Sequence, residues 1–250
     1  MKEMMMIDYL YDGSFDGLLT CIFYAYKDKK ASSLCREDAY MPNLLNTYQV
    51  IKTEKDKADR VYHSILDKLS NRTLSSIYYL YLSEYEDAET LALHYLRLCY
   101  TYSDEINLAK NNDIIRKVDL YVKRVKYEAH RFTGFVRFSE IGPLTFYAQI
   151  EPDYFILPLL AKHFTTRFSD QFFMIHDLKR QIALIYNTKD YFLQNLTSVE
   201  HQKLLKMHIK DDFIKLFQTY YKATTIDERI NLKRRNAFIP KRYVKHLGEL

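Results

Sequence analysis

The 250-residue chain has no tryptophan, five glycines, five prolines and three cysteines. So few glycines exclude two phosphate-binding chemistries. Neither a G-x-x-x-x-G-K-[ST] loop nor a G-x-G-x-x-G dinucleotide turn can be found in it. Cys21, Cys35 and Cys99 lie far apart and form no C-x-x-C pair. A thiolate-held zinc or iron–sulfur cluster is therefore not expected, and neither metal nor cofactor is assigned. A reduced setting suits three unpaired thiols. There is also no run of about 18 apolar residues to cross a bilayer. The opening Met4-Met5-Met6-Ile7 run, bounded by Lys2 and Asp8, is too short for a signal segment. The expectation is a cytoplasmic protein with no membrane partner.

Aromatic residues and an uneven charge distribution are what the chain does have. It carries 23 Tyr and 15 Phe, which imply amphipathic packing with hydroxyls at the core edge. Its net charge of +5 comes from 37 basic and 32 acidic residues. Seven of the basic ones fall between Arg229 and Lys245 (Arg229, Lys233, Arg234, Arg235, Lys241, Arg242, Lys245), with no acid among them. The remainder, 30 basic against 32 acidic, is close to neutral. A positive charge confined in this way points to an anionic partner, nucleic acid first, although a solvated helix face has the same composition.

Hydrophobic spacing gives the organisation. Residues 5–11 read as a strand, Asp12-Gly13 as a turn, and Ser14 as the cap of a helix to about Tyr26. Residues 27–53 show no clear pattern. Helical spacing follows at about 56–69, 74–83, 88–102 and 113–130. Phe132–Phe138 then alternates as a strand, with Gly142-Pro143 turning the chain into Leu144–Ile150. A helix over about 155–168 and strands at 172–176 and 182–186 come next. Helices over about 198–222, from the Thr225–Glu228 capping box, and from Pro240 complete the chain. The expected fold is α+β and mainly helical, with a four-stranded antiparallel sheet (hairpin, helix, hairpin) flanked by N- and C-terminal helices. It reads as a single domain: helical over 1–130, sheet over 131–190, and a basic helical region over 195–250.

Three residue groups are candidate sites. In the last helix Pro240, Tyr243, Val244 and Leu247 follow a buried stripe, which puts Lys241, Arg242 and Lys245 on the outer face. The segment Arg131-Phe132-Thr133-Gly134-Phe135-Val136-Arg137-Phe138 matches five specified positions of the RNA-recognition octamer K/R-G-F/Y-G/A-F-V-x-F/Y. As a strand it would share Arg131, Phe135 and Arg137 on one face, where an aromatic between two guanidiniums stacks a base and holds its phosphates. The alternative is a sheet face covered by a helix. His163 with Arg167, and His176-Asp177 with Arg180, form the third group. They offer a catalytic reading (His163, His176, Asp177), an anion-binding reading and a structural one. Asp8, Asp12 and Asp16 lack the alternate spacing of a calcium loop.

Taken in order, several segments resemble a bacterial family of uncharacterised "probable DNA metabolism proteins". They are Tyr11-Asp12-Gly13-Ser14-Phe15-Asp16-Gly17-Leu18-Leu19, the run from His130 to Phe138, Ile150-Glu151-Pro152, His163-Phe164 with Arg167-Phe168, Ile175-His176-Asp177 with Arg180, Glu228-Arg229-x-Asn231, and Pro240-x-Arg242-Tyr243. Such families are typically encoded beside a radical-SAM protein of DNA modification or repair. A similar domain is elsewhere fused to a uracil-DNA glycosylase-like domain. The resemblance adds Asn231 to the candidate nucleic-acid-binding set and implies DNA and a radical-SAM protein as partners. Family members often carry Trp in the C-terminal helices, and this chain has none. No glycosylase motif or cluster-binding Cys triplet is present. The expectation is a DNA-associated accessory protein without stand-alone activity. The alternatives are a phosphate-processing enzyme using the His/Asp/Arg group, or a protein-binding scaffold.

Overall fold

The computed structural model describes residues 6–42 and 46–206, together with Thr219 and Tyr243. The chain divides into two compact units, 1–126 and 127–250.

In the first unit, β1 (Met6–Tyr11) leads through Asp12-Gly13-Ser14 into α1 (Phe15–Ala25). Gly13 adopts φ +80°, a turn conformation that a side chain disfavours. Ser14 then caps the helix, its Oγ accepting from the Gly17 N–H at 2.9 Å. β2 (Ala31–Arg36) and β3 (Asn46–Val50) pair with β1 on either side, both parallel to it, giving the order β2-β1-β3. α2 (Lys55–Lys68), α3 (Asn71–Ser83), α4 (Ala88–Tyr102) and the start of α5 (Asp113–Phe135) follow. β1 alternates its side chains: Tyr9 and Tyr11 enter an apolar cluster with Leu34, Leu18, Ile65, Ile77, Leu93 and Tyr95. Asp8, on the other face, is 2% exposed and accepts from Ser33 (2.7 Å), Asn46 (3.0 Å) and Tyr40 (3.2 Å). At the C-terminal strand ends the buried Tyr11 hydroxyl donates to Glu89 (3.0 Å), and Arg36 pairs with both Glu84 (3.4 Å) and Glu89 (3.5 Å).

In the second unit α5 ends, and β4 (Ser139–Gly142) pairs antiparallel with β5 (Thr145–Ile150). α6 (Leu157–Arg167) carries the chain to β6 (Phe172–Asp177), which lies parallel to β5. β7 (Ile182–Tyr186) and β8 (Tyr191–Asn195) add antiparallel strands, and α7 (Ser198–Leu205) follows. A reciprocal capping box between Thr197 and Glu200 opens α7. Leu157, Leu160 and Phe164 of α6 are buried with Phe173, Ile175 and Leu184 of the sheet.

This overturns the single four-stranded antiparallel sheet. Among the described residues there are two sheets, one of three parallel strands and one mixed sheet in the order β4-β5-β6-β7-β8. The α+β class stands. Phe132–Phe138 is not a strand, because α5 continues to Phe135. Phe132 and Val136 are four apart, a spacing that serves a helix face as well as a pleat, and both are buried. β5 and β6 are parallel because a helix joins them, as a crossover connection requires. β2 and β3 fall in the stretch without a clear pattern, and every residue of β8 is exposed, so it has no alternation to read. The C-terminal helices expected beyond residue 206 lie outside the described residues, apart from Thr219 and Tyr243, both helical.

Candidate nucleic-acid interface

The last turns of α5 gather cations and rings. The Arg131 guanidinium carbon lies 5.3 Å from the Tyr127 ring centroid and 5.2 Å from that of Phe135. The three residues are spaced i, i+4, i+8, so a helix stacks them one turn apart. Arg131 Nη2 is shielded from solvent and has no hydrogen-bond partner. The two rings attract this cation. Tyr127 is 56% exposed, and His130 and Arg137 are exposed as well. Arg137 Nη1 donates to the Gly134 carbonyl at 2.6 Å, satisfying one of the unpaired acceptors at a helix C-terminus.

Glu128, the acid on this stretch, is turned inward and is 6% exposed. It accepts from the backbone N–H groups of Asp153 and Tyr154, each at 2.9 Å, and from the Tyr243 hydroxyl. Tyr243 is itself 3% exposed, with its ring 4.8 Å from Phe132 and 5.9 Å from Phe135. Phe135 thus neighbours both Arg131 and Tyr243. Tyr243 belongs to the acid-free basic segment and is bonded to Arg242, with Lys241 and Lys245 two residues away. Tyr243 itself is anchored on the same helix end as Arg131.

α6 adds a second basic surface. Its exposed residues include Lys162, His163 and Arg167, and no acid lies on the helix. Phe138, next to Arg137, packs on Phe164 (5.3 Å) and Phe168 (5.0 Å), bringing the α5 exit to the C-terminal turn of α6. The exposed acids Glu140 and Asp170 lie a few residues from Arg137 and Arg167.

The His/Asp/Arg group occupies separate settings. His163 is exposed, edge-on to Phe164 at 4.8 Å. His176 is fully buried in a chain: Gln149 Nε2 donates to the Tyr147 oxygen (3.2 Å), the Tyr147 hydroxyl meets His176 Nδ1 (2.7 Å), and His176 Nε2 meets His201 Nδ1 (2.9 Å). Both ring nitrogens of His176 are satisfied if Tyr147 donates to Nδ1 and Nε2–H donates to His201. Burial, with His201 beside it, pulls the His176 imidazole down to about 4. Asp177 is fully buried against Arg180 at 2.9 Å. Burial raises its carboxyl while the guanidinium opposes the rise. Arg180 also donates to the carbonyls of Pro152 (3.3 Å) and Asp153 (2.8 Å), which makes it a brace between two loops.

Arg131 and Phe135 therefore come together, through helical spacing rather than a shared strand face. Arg137 and Arg167 are open to solvent, whereas Arg180 is engaged internally. Arg229, Asn231, Lys241, Arg242 and Lys245 lie outside the described residues. Sequence reasoning missed Tyr127, Glu128, Tyr147 and His201. Only Tyr127 carried a signal, its four-residue spacing from Arg131. Among the described residues no group of three or more His, Cys, Asp or Glu is arranged to hold a metal. Among them, too, no helix is long and apolar enough to cross a membrane.

Fold and surface define a two-unit α+β protein whose second unit presents a basic helix end built around a ring-stacked arginine. The model of a domain of unknown function, DUF4130, matches residues 86–249, and the chain belongs to that family. No curated protein matches it at a significant level.

Proposed function

We propose that this is a DNA-associated accessory protein of repair or base modification, working with a radical-SAM protein that supplies the chemistry. The partner is what the family resemblance implies. The observation that carries the nucleic-acid reading is the seat of Tyr243 on Phe132, Phe135 and Glu128. Tyr243, whose sequence neighbours are the cations of the acid-free segment, rests on the helix end that holds Arg131 and the exposed Arg137. The local acid, Glu128, is spent on backbone donors, so it does not oppose an anion at the surface. Cations near aromatic rings on an outward face suit a phosphate-bearing chain.

Fluorescence anisotropy with labelled DNA tests this. If about four cations neutralise phosphates, affinity falls roughly a hundredfold between 50 and 200 mM salt. Charge reversal at Lys241, Arg242 and Lys245 together weakens binding and flattens the salt slope. Undetectable binding at low salt in both forms overturns the proposal. Co-purification with the radical-SAM protein in the absence of nucleic acid would instead favour a protein-docking role for the basic segment.

A further inference from the structure

We infer that the α5 helix end takes unpaired, single-stranded nucleic acid, with a base stacked on the Tyr127–Arg131 platform. This rests on the nucleic-acid reading above. Tyr127 is 56% exposed, and the Arg131 guanidinium lies 5.3 Å from its ring and 5.2 Å from that of Phe135. A guanidinium plane and an aromatic ring are both surfaces on which a base stacks, whatever its identity. In a duplex, base faces are covered by their neighbours, and exposing one costs a few kcal/mol. A single strand offers them freely. Binding a duplex through its backbone would need only cations and would leave the open ring without a role.

The helix polarity favours the same answer. This platform lies in the last turns of α5, towards the end where unpaired carbonyls carry partial negative charge. A phosphate placed there gains nothing from the backbone, unlike one at a helix N-terminus. A stacked base does not meet that opposition. Arg131 Nη2 is a buried donor with no hydrogen-bond partner. The arrangement also differs from a groove-reading helix, which brings the side chains of its N-terminal turns to base edges.

The absence of tryptophan makes the test clean, since Tyr127→Trp in the full chain is the sole indole. At low salt, a short oligothymidylate is expected to quench its fluorescence by half or more. The matched duplex and inorganic phosphate should leave it unchanged. By anisotropy the unmodified protein should bind the single strand about tenfold or more tightly than the duplex, the gain of one stacked base. Arg131→Lys keeps the charge but loses the plane, and should remove that preference while keeping the salt dependence. Circular dichroism verifies that both variants are folded. Equal affinity for the two DNA forms without quenching overturns the inference and leaves the proposed function standing. No binding of either form at low salt removes both.

Discussion

Gly17 sits in the first turn of α1 where a side chain has no room. A Cβ there would run into the Asp12 carboxylate and the Ser14 and Thr53 hydroxyls. Those groups are engaged with one another: Asp12 accepts from the Ser14 N–H (2.9 Å), the Ser14 hydroxyl (2.7 Å) and Thr53 (2.7 Å). These bonds draw the Asp12 carboxyl below its usual range against a burial effect that raises it. In an ordinary helix Gly→Ala stabilises by about 1 kcal/mol. Gly17→Ala is expected to do the reverse and destabilise by about 2 kcal/mol, through overpacking and loss of the cap. Urea titration of the two proteins checks the sign. The turn was legible because Asp12, Gly13 and Ser14 are residues that turns and caps demand locally. The inward use of Arg180 was not legible, since nothing local shows that the carbonyls of Pro152 and Asp153 approach it.

At the scale of elements, α7 is pinned to its sheet by two imidazoles, His176 on β6 and His201, which is 8% exposed. Unfolded, His176 takes up a proton near 6.5; folded, it does so only near about 4. Between those values the unfolded chain binds more protons, so this contribution is complete above about pH 6.5 and is lost as pH falls towards 4. The second unit should be roughly 2 kcal/mol less stable at pH 5 than at pH 7.5. His176→Gln should flatten the difference, and chemical denaturation at the two pH values measures it. An unchanged pH profile in the variant would show that the proton goes elsewhere. Elements with strong helical spacing were readable: α4 spans the expected residues, and α2, α3 and α6 depart from expectation by only a few at their ends. The misreading at Phe132–Phe138 came from apolar residues that suit both periods. The helix is shown by α5 running unbroken to Phe135, which sets Tyr127, Arg131 and Phe135 one turn apart.

For the whole molecule, the apolar cluster from Tyr9 to Tyr121 draws all its residues from the first unit. A fragment ending at Lys126 is therefore expected to melt cooperatively, followed by far-ultraviolet circular dichroism. A broad, non-cooperative melt would mean that the cluster is insufficient alone. The parallel sheet at the heart of this unit was beyond single-sequence reading. β2 and β3 are short and partly polar, and only their pairing with β1 makes them strands. The charge imbalance behaves differently, because it belongs to composition and needs no fold to be seen.

The buried face of α4 sets a rule for dissecting this protein. The DUF4130 match begins at residue 86, two residues before that helix. Yet Leu91, Ala92, Leu93, Tyr95, Leu96 and Cys99 are buried within the cluster that includes Tyr9, Leu34 and Ile77. A gene fragment cut at the family boundary would translate a helix stripped of its covering layer. The lost burial is on the order of 10 kcal/mol at about 1.5–3 kcal/mol for each large apolar side chain. Such a fragment should aggregate or recruit a chaperone. The segment inherited as a family and the segment that folds as a body therefore have different ends.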